Sequence, residues 1–273
     1  MKPAPSDGSR DPAIDDPTNT WFVHYIGRLL LPLALRARLP ANPVSVAGLL
    51  FGAGGALAYL HWRDPALATA GFLLCVAWLI ADGLDGMIAR ATDTASAIGR
   101  FLDGVCDHAV FLCLYVALSW SLGIGETWPL AVAAGFSHAV QATLYEAERI
   151  RFQRRMRGEP YLPPPRSPYL LARIYDNVAS SLDRMSAPLD RLLENGPKRT
   201  GRLEAYRRAA APVMRLMIPL TNNMRVVLIW ILCLAADPRW FWWITLGPLS
   251  LVALAGIVRL RQVEAKLVRE ASA

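Results

Sequence analysis

Long apolar stretches follow one another along most of this 273-residue chain. Six of them approach the roughly 20 residues that a helix needs to cross the hydrocarbon core of a bilayer. In lipid every backbone N–H and C=O group must find its partner within the protein, which a helix provides by itself. The sequence therefore predicts an all-α integral membrane protein with six transmembrane helices. We place these at residues 44–62, 66–89, 101–122, 128–145, 212–236 and 240–258.

The region before the first span has two parts. Residues 21–39 mix aromatic and aliphatic side chains with Arg28, Arg36 and Arg38. This composition predicts an amphipathic helix lying in the membrane interface, and the three arginines argue against a seventh span. Residues 1–20 are polar and lack the apolar core of a signal peptide, so we predict a disordered cytoplasmic tail.

Lysine and arginine are distributed unevenly among the predicted loops. Two of the three turns on one side carry a single arginine each and the third carries none. The opposite side has the basic segment 149–208, the basic C-terminal tail and five arginines beside the spans, namely Arg28, Arg36, Arg38, Arg90 and Arg100. The positive-inside rule then places the termini in the cytoplasm. The net charge is +7, and the basic residues cluster beside the spans, which favours anionic lipid over nucleic acid as a partner.

We predict catalytic spans one to four at 40–146, a basic cytoplasmic insertion at 147–208, and spans five and six with a cytoplasmic tail at 209–273. The charge run of the insertion is typical of a solvated or lipid-facing surface.

Four aspartates lie at the cytoplasmic end of the second and third spans. Asp82 and Asp85 are three residues apart, and Asp103 and Asp107 are four apart, so each pair shares one helix face. If the two helices are neighbours, the four carboxylates converge. Like charges this close stay ionised only when a cation holds them together, and hard oxygen ligands suit Mg²⁺ or Mn²⁺.

The aspartates belong to a longer string, D-x-x-D-G-x-x-A-R, then eight residues, then G-x-x-x-D-x-x-x-D. This string resembles the signature of the CDP-alcohol phosphotransferase (CDP-alcohol phosphatidyltransferase) family, and the resemblance covers about residues 40–108. It implies a Mg²⁺- or Mn²⁺-dependent enzyme that moves a phosphatidyl group from CDP-diacylglycerol, or a similar CDP-linked donor, to an alcohol, releasing CMP in phospholipid synthesis. It also implies a homodimer.

The resemblance further implies roles for individual residues. Asp107 corresponds to the general base and shares metal binding with Asp82, Asp85 and Asp103. The nucleotide would contact Gly86, Ala89, Arg90 and Gly99. Asn42 and Ser45 match an element that opens the first span in this family, although Ala41 replaces its usual proline. Asn42 is therefore either a nucleotide contact or an ordinary helix N-cap.

Polar residues interrupt the fifth predicted span. Asn222 and Arg225 are three residues apart and share a face, and such groups at membrane depth normally line a cavity. The candidate acceptor site combines them with three further residues. These are Arg215, His138 and Tyr145. Hydrogen bonding between helices is the alternative role for these side chains.

The fourth span bears on the identity of the acceptor. Family members with a phosphorylated acceptor often carry a Ser-Tyr-x-Arg-x-Arg-like stretch there, whereas residues 137–142 contain no arginine. This difference favours inositol, another polyol or an amino alcohol. A phosphorylated acceptor, glycerol 3-phosphate or inositol phosphate, stays open because Arg149, Arg215 or Arg225 could replace the missing charges.

A cation transporter with an acidic metal site is the alternative from another class. Transporter sites lie near the bilayer midplane and are commonly formed by inverted repeats. Here the aspartates are predicted at one membrane face, and the sequence has no detectable inverted repeat. We therefore predict an enzyme of the bacterial inner membrane, with its active site facing the cytoplasm and its substrates drawn from membrane lipid.

Overall fold

Helices make up the fold wherever the structure describes the chain. This computed structural model describes residues 11–160, 186–193, 199–235 and 237–272, without the side chains at 97, 98, 100–103 and 272. These ranges contain no strand, so the predicted all-α class is confirmed for them.

Nine helices are named here in chain order. They are α1 (His24–Arg36), α2 (Ala41–Tyr59), α3 (Pro65–Ala91), α4 (Ala97–Ser121), α5 (Ile124–Arg157), α6 (Arg199–Leu216), α7 (Asn222–Ala235), α8 (Arg239–Ile244) and α9 (Ser250–Ser272). A π-helical turn at Asn19–Val23 precedes α1, another at Thr245–Leu249 joins α8 to α9, and a 3-10 turn at Ile218–Leu220 precedes α7. Residues 186–193 are also helical.

Four helical segments of the described chain are long and apolar enough to cross a membrane. They are Ala41–Tyr59, Pro65–Ala91, Gly104–Ser121 and Arg239–Ala271. These correspond to the first, second, third and sixth predicted spans. The prediction of six spans is therefore not confirmed.

The other two predicted spans differ from the structure for separate reasons. The fourth lies within α5, a helix of 34 residues that is not among those four segments. Ser137, His138 and Gln141 add polar groups to its predicted membrane part. The fifth is not one continuous helix over residues 212–236, because the chain breaks between α6 and α7 at a 3-10 turn containing Pro219. Proline lacks the N–H that a continuous helix requires, and the α7 segment that remains has only 14 residues.

Residues 11–20, the second half of the tail predicted to be disordered at 1–20, make side-chain hydrogen bonds in the structure, and the disorder of the tail stays a prediction. Residues 1–10 lie outside the described chain. Asp16 is 1% exposed and accepts hydrogen bonds from the Thr18 backbone N–H and hydroxyl, each at 2.8 Å. α1 then lies within the predicted interfacial helix at 21–39, and its place at a membrane surface stays a prediction.

The chain divides into two compact units. The first contains Asp15–Ala139 and Thr221–Pro248. Within it, small residues bring α2 close to its neighbours: a Cβ added at Gly48 would lie 3.2 Å from the Ala81 Cβ on α3, and one at Gly52 would overlap Val110 on α4. Such close backbone approach at small residues is how membrane helices gain dispersion contacts. It fixes α3 and α4, which carry the aspartates, against α2.

The second unit contains Asp11–Ile14, Val140–Leu220 and Leu249–Ala273. Its core includes a network of ion pairs among side chains that are mostly buried. The pairs are Arg151–Glu148 at 2.6 Å, Arg261–Glu148 at 2.6 Å, Arg155–Glu264 at 2.6 Å, Arg261–Glu264 at 2.7 Å, Arg155–Asp190 at 2.8 Å and Arg154–Asp190 at 2.9 Å. The expectation that the charge run at 149–208 is a solvated or lipid-facing surface is thus wrong for Arg151 and Arg155, each 3% exposed. Arg151 pairs with Glu148 one turn earlier on α5, whereas Arg155 pairs with Asp190 and Glu264 of other elements in this unit.

Candidate active site

α3 carries the first half of the aspartate string on its last two turns. Asp85 is 5% exposed, whereas Asp82, one turn earlier, is partly exposed. The Ser45 hydroxyl on α2 donates a hydrogen bond to Asp85 Oδ2. A charged acceptor makes such a bond stronger than a bond between neutral groups. Ser45 therefore holds the buried carboxylate of Asp85 in one orientation.

The start of α2 lies beside the start of α4. A Cβ added at Gly99 would be 3.7 Å from Asn42 Oδ1 and 3.2 Å from Ser96 Oγ, and Ser96 caps α4 by accepting from the Gly99 N–H at 3.0 Å. Asn42 and Gly99, two predicted nucleotide contacts far apart in sequence, are thus neighbours. Asn42 is not the N-cap of α2, because Pro40 occupies that position.

Gly86, Ala89 and Arg90 also lie together on α3. A Cβ added at Gly86 would be only 3.1 Å from Arg90 Nη1, so the glycine leaves room for the guanidinium group. Ala89 is partly exposed and Arg90 exposed, whereas Gly86 is partly exposed between the buried Asp85 and Met87. A guanidinium held at a helix end in this way is suited to phosphate oxygens.

Asp107 on α4 meets the beginning of α7. The Asn222 amide donates to Asp107 Oδ2 at 3.1 Å. Asn222 is also hydrogen-bonded to the His138 side chain on α5. The predicted general base Asp107 is therefore hydrogen-bonded to Asn222 and linked through it to His138, and both of these residues are predicted to bind the acceptor.

Aromatic rings surround this polar group within the first unit. The His138 ring packs edge-on against Phe111, with centroids 4.3 Å apart, and stacks on Tyr115 at 6.1 Å. Arg225 is completely buried in the same unit as Tyr115, which is 5% exposed. A charged side chain buried in a membrane protein usually has a function.

The two remaining acceptor candidates belong to the second unit. Arg215 is exposed, and its Nε donates to the Ala13 carbonyl at 2.8 Å. Tyr145 is 7% exposed. The structure therefore brings Asn222, His138 and Arg225 together in one unit, and it places Arg215 and Tyr145 in the other.

The aspartates of the string fit a hard divalent cation by their chemistry, since they offer carboxylate oxygens, and the Asp85 carboxylate is buried. Among the described side chains, no group of three or more His, Cys, Asp or Glu residues is arranged to hold a metal ion. The Asp103 side chain is outside the described set, although the backbone places this residue on α4 one turn before Asp107. The four-carboxylate arrangement therefore stays a prediction.

Sequence reasoning did not assign functional positions to Asp16, Thr18 and Asn223, which contact one another around the start of α7. Their types are common N-terminal and helix-start residues, so no local pattern distinguishes them. Ser45 did carry a signal, because it matches the element that includes Asn42, but its bond to Asp85 appears only in the tertiary structure.

Comparison with known families gives a match to one segment of the chain. Residues 38–159 match the family model for CDP-alcohol phosphatidyltransferase. A search of curated proteins gives no match. The chain thus carries a CDP-alcohol phosphatidyltransferase domain at residues 38–159, as the aspartate string indicated, and the family transfers substituted phosphate groups. The matched segment includes every predicted metal and nucleotide residue and ends before α7.

Proposed function

We propose that the CDP-alcohol phosphatidyltransferase domain at residues 38–159 transfers a phosphatidyl group from CDP-diacylglycerol to an alcohol and releases CMP, in phospholipid synthesis. The observation that carries this proposal is the meeting of three separate helices at the aspartate string. Ser45 of α2 holds Asp85 of α3, and Asn42 of α2 adjoins Gly99 of α4. Residues with a role in the family signature thus lie together.

In the proposed reaction the acceptor hydroxyl oxygen forms a bond to the phosphorus of the phosphatidyl group. The bond from that phosphorus to the bridging pyrophosphate oxygen breaks, and CMP leaves with that oxygen. The hydroxyl proton moves to the Asp107 carboxylate, which acts as general base. The Asn222 amide, 3.1 Å from Asp107 Oδ2, orients that carboxylate. Arg90 contacts the pyrophosphate, and Asn42, Gly86, Ala89 and Gly99 surround the cytidine nucleotide.

Mg²⁺ or Mn²⁺, held by Asp82, Asp85, Asp103 and Asp107, would neutralise pyrophosphate charge when bound. The contribution of the chain itself is to keep these carboxylates ionised and oriented. For Asp85 this is the role of Ser45, because a buried carboxylate without a donor favours its protonated form.

The acceptor is proposed to be inositol or another uncharged polyol. Asn222 and His138 offer hydrogen bonds that suit hydroxyl groups, and residues 137–142 contain no arginine. A phosphorylated acceptor is the second candidate, favoured by the completely buried Arg225 in the same unit. We further propose a homodimer in the bacterial inner membrane, with the site on the cytoplasmic side.

The test measures CMP release by detergent-purified protein with CDP-diacylglycerol and Mg²⁺ or Mn²⁺. Inositol, glycerol 3-phosphate, inositol phosphate, serine and ethanolamine are supplied separately. Asp107→Asn removes the proposed base, and Asp93→Asn is the matched control, since Asp93 is exposed and its backbone φ of 54° suits asparagine. Acceptor-dependent CMP that is lost only in Asp107→Asn is expected. CMP release that is equal in both variants would contradict the assignment of the base.

A further inference from the structure

Three consecutive residues at the start of α7 contact two different parts of the first unit. Thr221 and Asn223 bind the N-terminal strap, the name used here for residues 15–20. Between them in sequence, Asn222 binds Asp107. The strap therefore lies against the same half-turn of helix that supplies a hydrogen bond to the proposed general base.

A buried carboxylate organises the strap. Asp16, 1% exposed, accepts from the Thr18 N–H and hydroxyl at 2.8 Å and from the Thr221 hydroxyl at 2.9 Å. These three donors to one carboxylate offset the cost of burying its charge. Asp16 thus connects the strap to Thr221, the residue directly before α7.

A second connection runs through an amide. Asn223 is 7% exposed, and its Nδ2 donates to Thr18 Oγ1 and to Asn19 Oδ1, each at 2.9 Å. Thr18 consequently takes part in both connections, since its hydroxyl donates to Asp16 and accepts from Asn223.

Helical geometry explains why these two connections affect the residue between them. Successive residues of an α-helix are rotated by about 100°, so Thr221 and Asn223 point to directions on either side of Asn222. Because the 3-10 turn at Ile218–Leu220 separates α6 from α7, α7 does not continue the α-helix of α6. Holding Thr221 and Asn223 fixes the rotation of α7, and with it the direction of the Asn222 side chain.

We propose that the N-terminal strap is a positioning element for the transfer reaction: Asp16 and Thr18 hold the start of α7 so that the Asn222 amide meets Asp107. The effect on turnover rests on the proposed function, whereas the fixing of α7 does not. Asp16 and Thr18 touch neither reacting group and act only through Asn222.

The experiment compares Thr18→Val, which keeps the shape and removes the hydroxyl, with Thr18→Ser, which keeps the hydroxyl. Asp16→Asn is a second strap variant, in case Thr18→Val does not fold. Asp15→Asn is the control for charge, because Asp15 accepts from Thr20 within the strap. Two quantities are measured on each full-length protein: kcat and KM for CMP release, and hydrogen exchange of the backbone amides at residues 222–226.

We expect Thr18→Val and Asp16→Asn to lower kcat about tenfold, because small displacements of a catalytic group cost one to two orders of magnitude. KM for CDP-diacylglycerol should stay within about twofold, since the donor contacts are elsewhere. The amides at 222–226 should lose protection in both variants. Thr18→Ser and Asp15→Asn should behave like the parent protein.

Unchanged kcat in a variant whose 222–226 amides have lost protection would overturn the positioning role. Unchanged protection in both Thr18→Val and Asp16→Asn would overturn the fixing of α7. If the parent protein releases no CMP with any acceptor, the proposed function fails instead. The exchange data then decide the strap separately: lost protection supports it, and retained protection overturns it.

Discussion

Arg155 offers a quantitative test of the buried ion network in the second unit. Its side chain is 1% exposed and makes hydrogen bonds with both Asp190, at 2.8 Å, and Glu264, at 2.6 Å. The guanidinium also lies over the Tyr206 ring, 4.9 Å from its centroid. Substitution of Arg155 by Met keeps much of the side-chain volume and removes the charge.

The expected loss of stability depends on which ion pairs Asp190 and Glu264 keep after the substitution. Removing one partner of a buried ion pair typically costs about 3–5 kcal/mol, because the other charge stays buried. Asp190 keeps Arg154 at 2.9 Å, and Glu264 keeps Arg261 at 2.7 Å. We therefore take the lower end, about 3 kcal/mol. At about 2–4 °C per kcal/mol for a chain somewhat smaller than this one, the expected fall in Tm is roughly 6–12 °C.

The assay is thermal unfolding of the detergent-purified protein, followed by circular dichroism. The matched control is Arg157→Met on the same helix, whose pair with Glu159 is 3.8 Å long and whose side chain is 44% exposed. Exposed pairs contribute about 0–1 kcal/mol, so its Tm should change little. Equal shifts in Arg155→Met and Arg157→Met would refute the reasoning.

Three further outcomes are expected. Gly55→Ala should destabilise the protein by roughly 1–3 kcal/mol, because the added Cβ would lie 2.7 Å from Cys75 Sγ. The control is Gly54→Ala, whose added Cβ makes only an ordinary contact with Leu74, and its Tm should stay within about 2 °C of the parent value. Ser45→Ala should lower kcat/KM for CMP release by ten- to a hundredfold, since a hydrogen bond to a charged group contributes about 1.5–3 kcal/mol; an unchanged value would contradict the role given to Asp85. EDTA should stop CMP release and added Mg²⁺ should restore it; release that persists in EDTA would contradict the metal proposal.

The class of fold and the domain could be predicted from sequence because both depend on local information. Apolar stretches of about 20 residues specify helices in lipid wherever they occur, and the part of the chain that the structure describes has four such helices. The aspartate string is a short pattern of fixed spacing, so it identified the domain at residues 38–159 without any knowledge of packing. Residues 82–90 of the string lie close to one another because they share one helix, α3.

The sequence did not determine where the fifth apolar stretch breaks. Hydropathy averages over a window, so it records the apolar content of residues 212–236 but not the turn at Pro219 that starts a new helix. The interpretation of the run of charges at 149–208 likewise rests on composition, which does not record the partners of each arginine. The burial of Arg155 depends on Asp190 and Glu264, which are distant in sequence.

Only the tertiary structure decided which polar residues act together. Ser45 reaches Asp85 across 40 residues, Asn222 reaches Asp107 across 115, and Thr221 reaches Asp16 across 205. No local propensity encodes such pairs, because each depends on helix packing that places two distant side chains within hydrogen-bonding distance. The sequence thus supplied the carboxylates of the candidate site, and the packing of α2, α4, α7 and the strap supplied the groups that orient them.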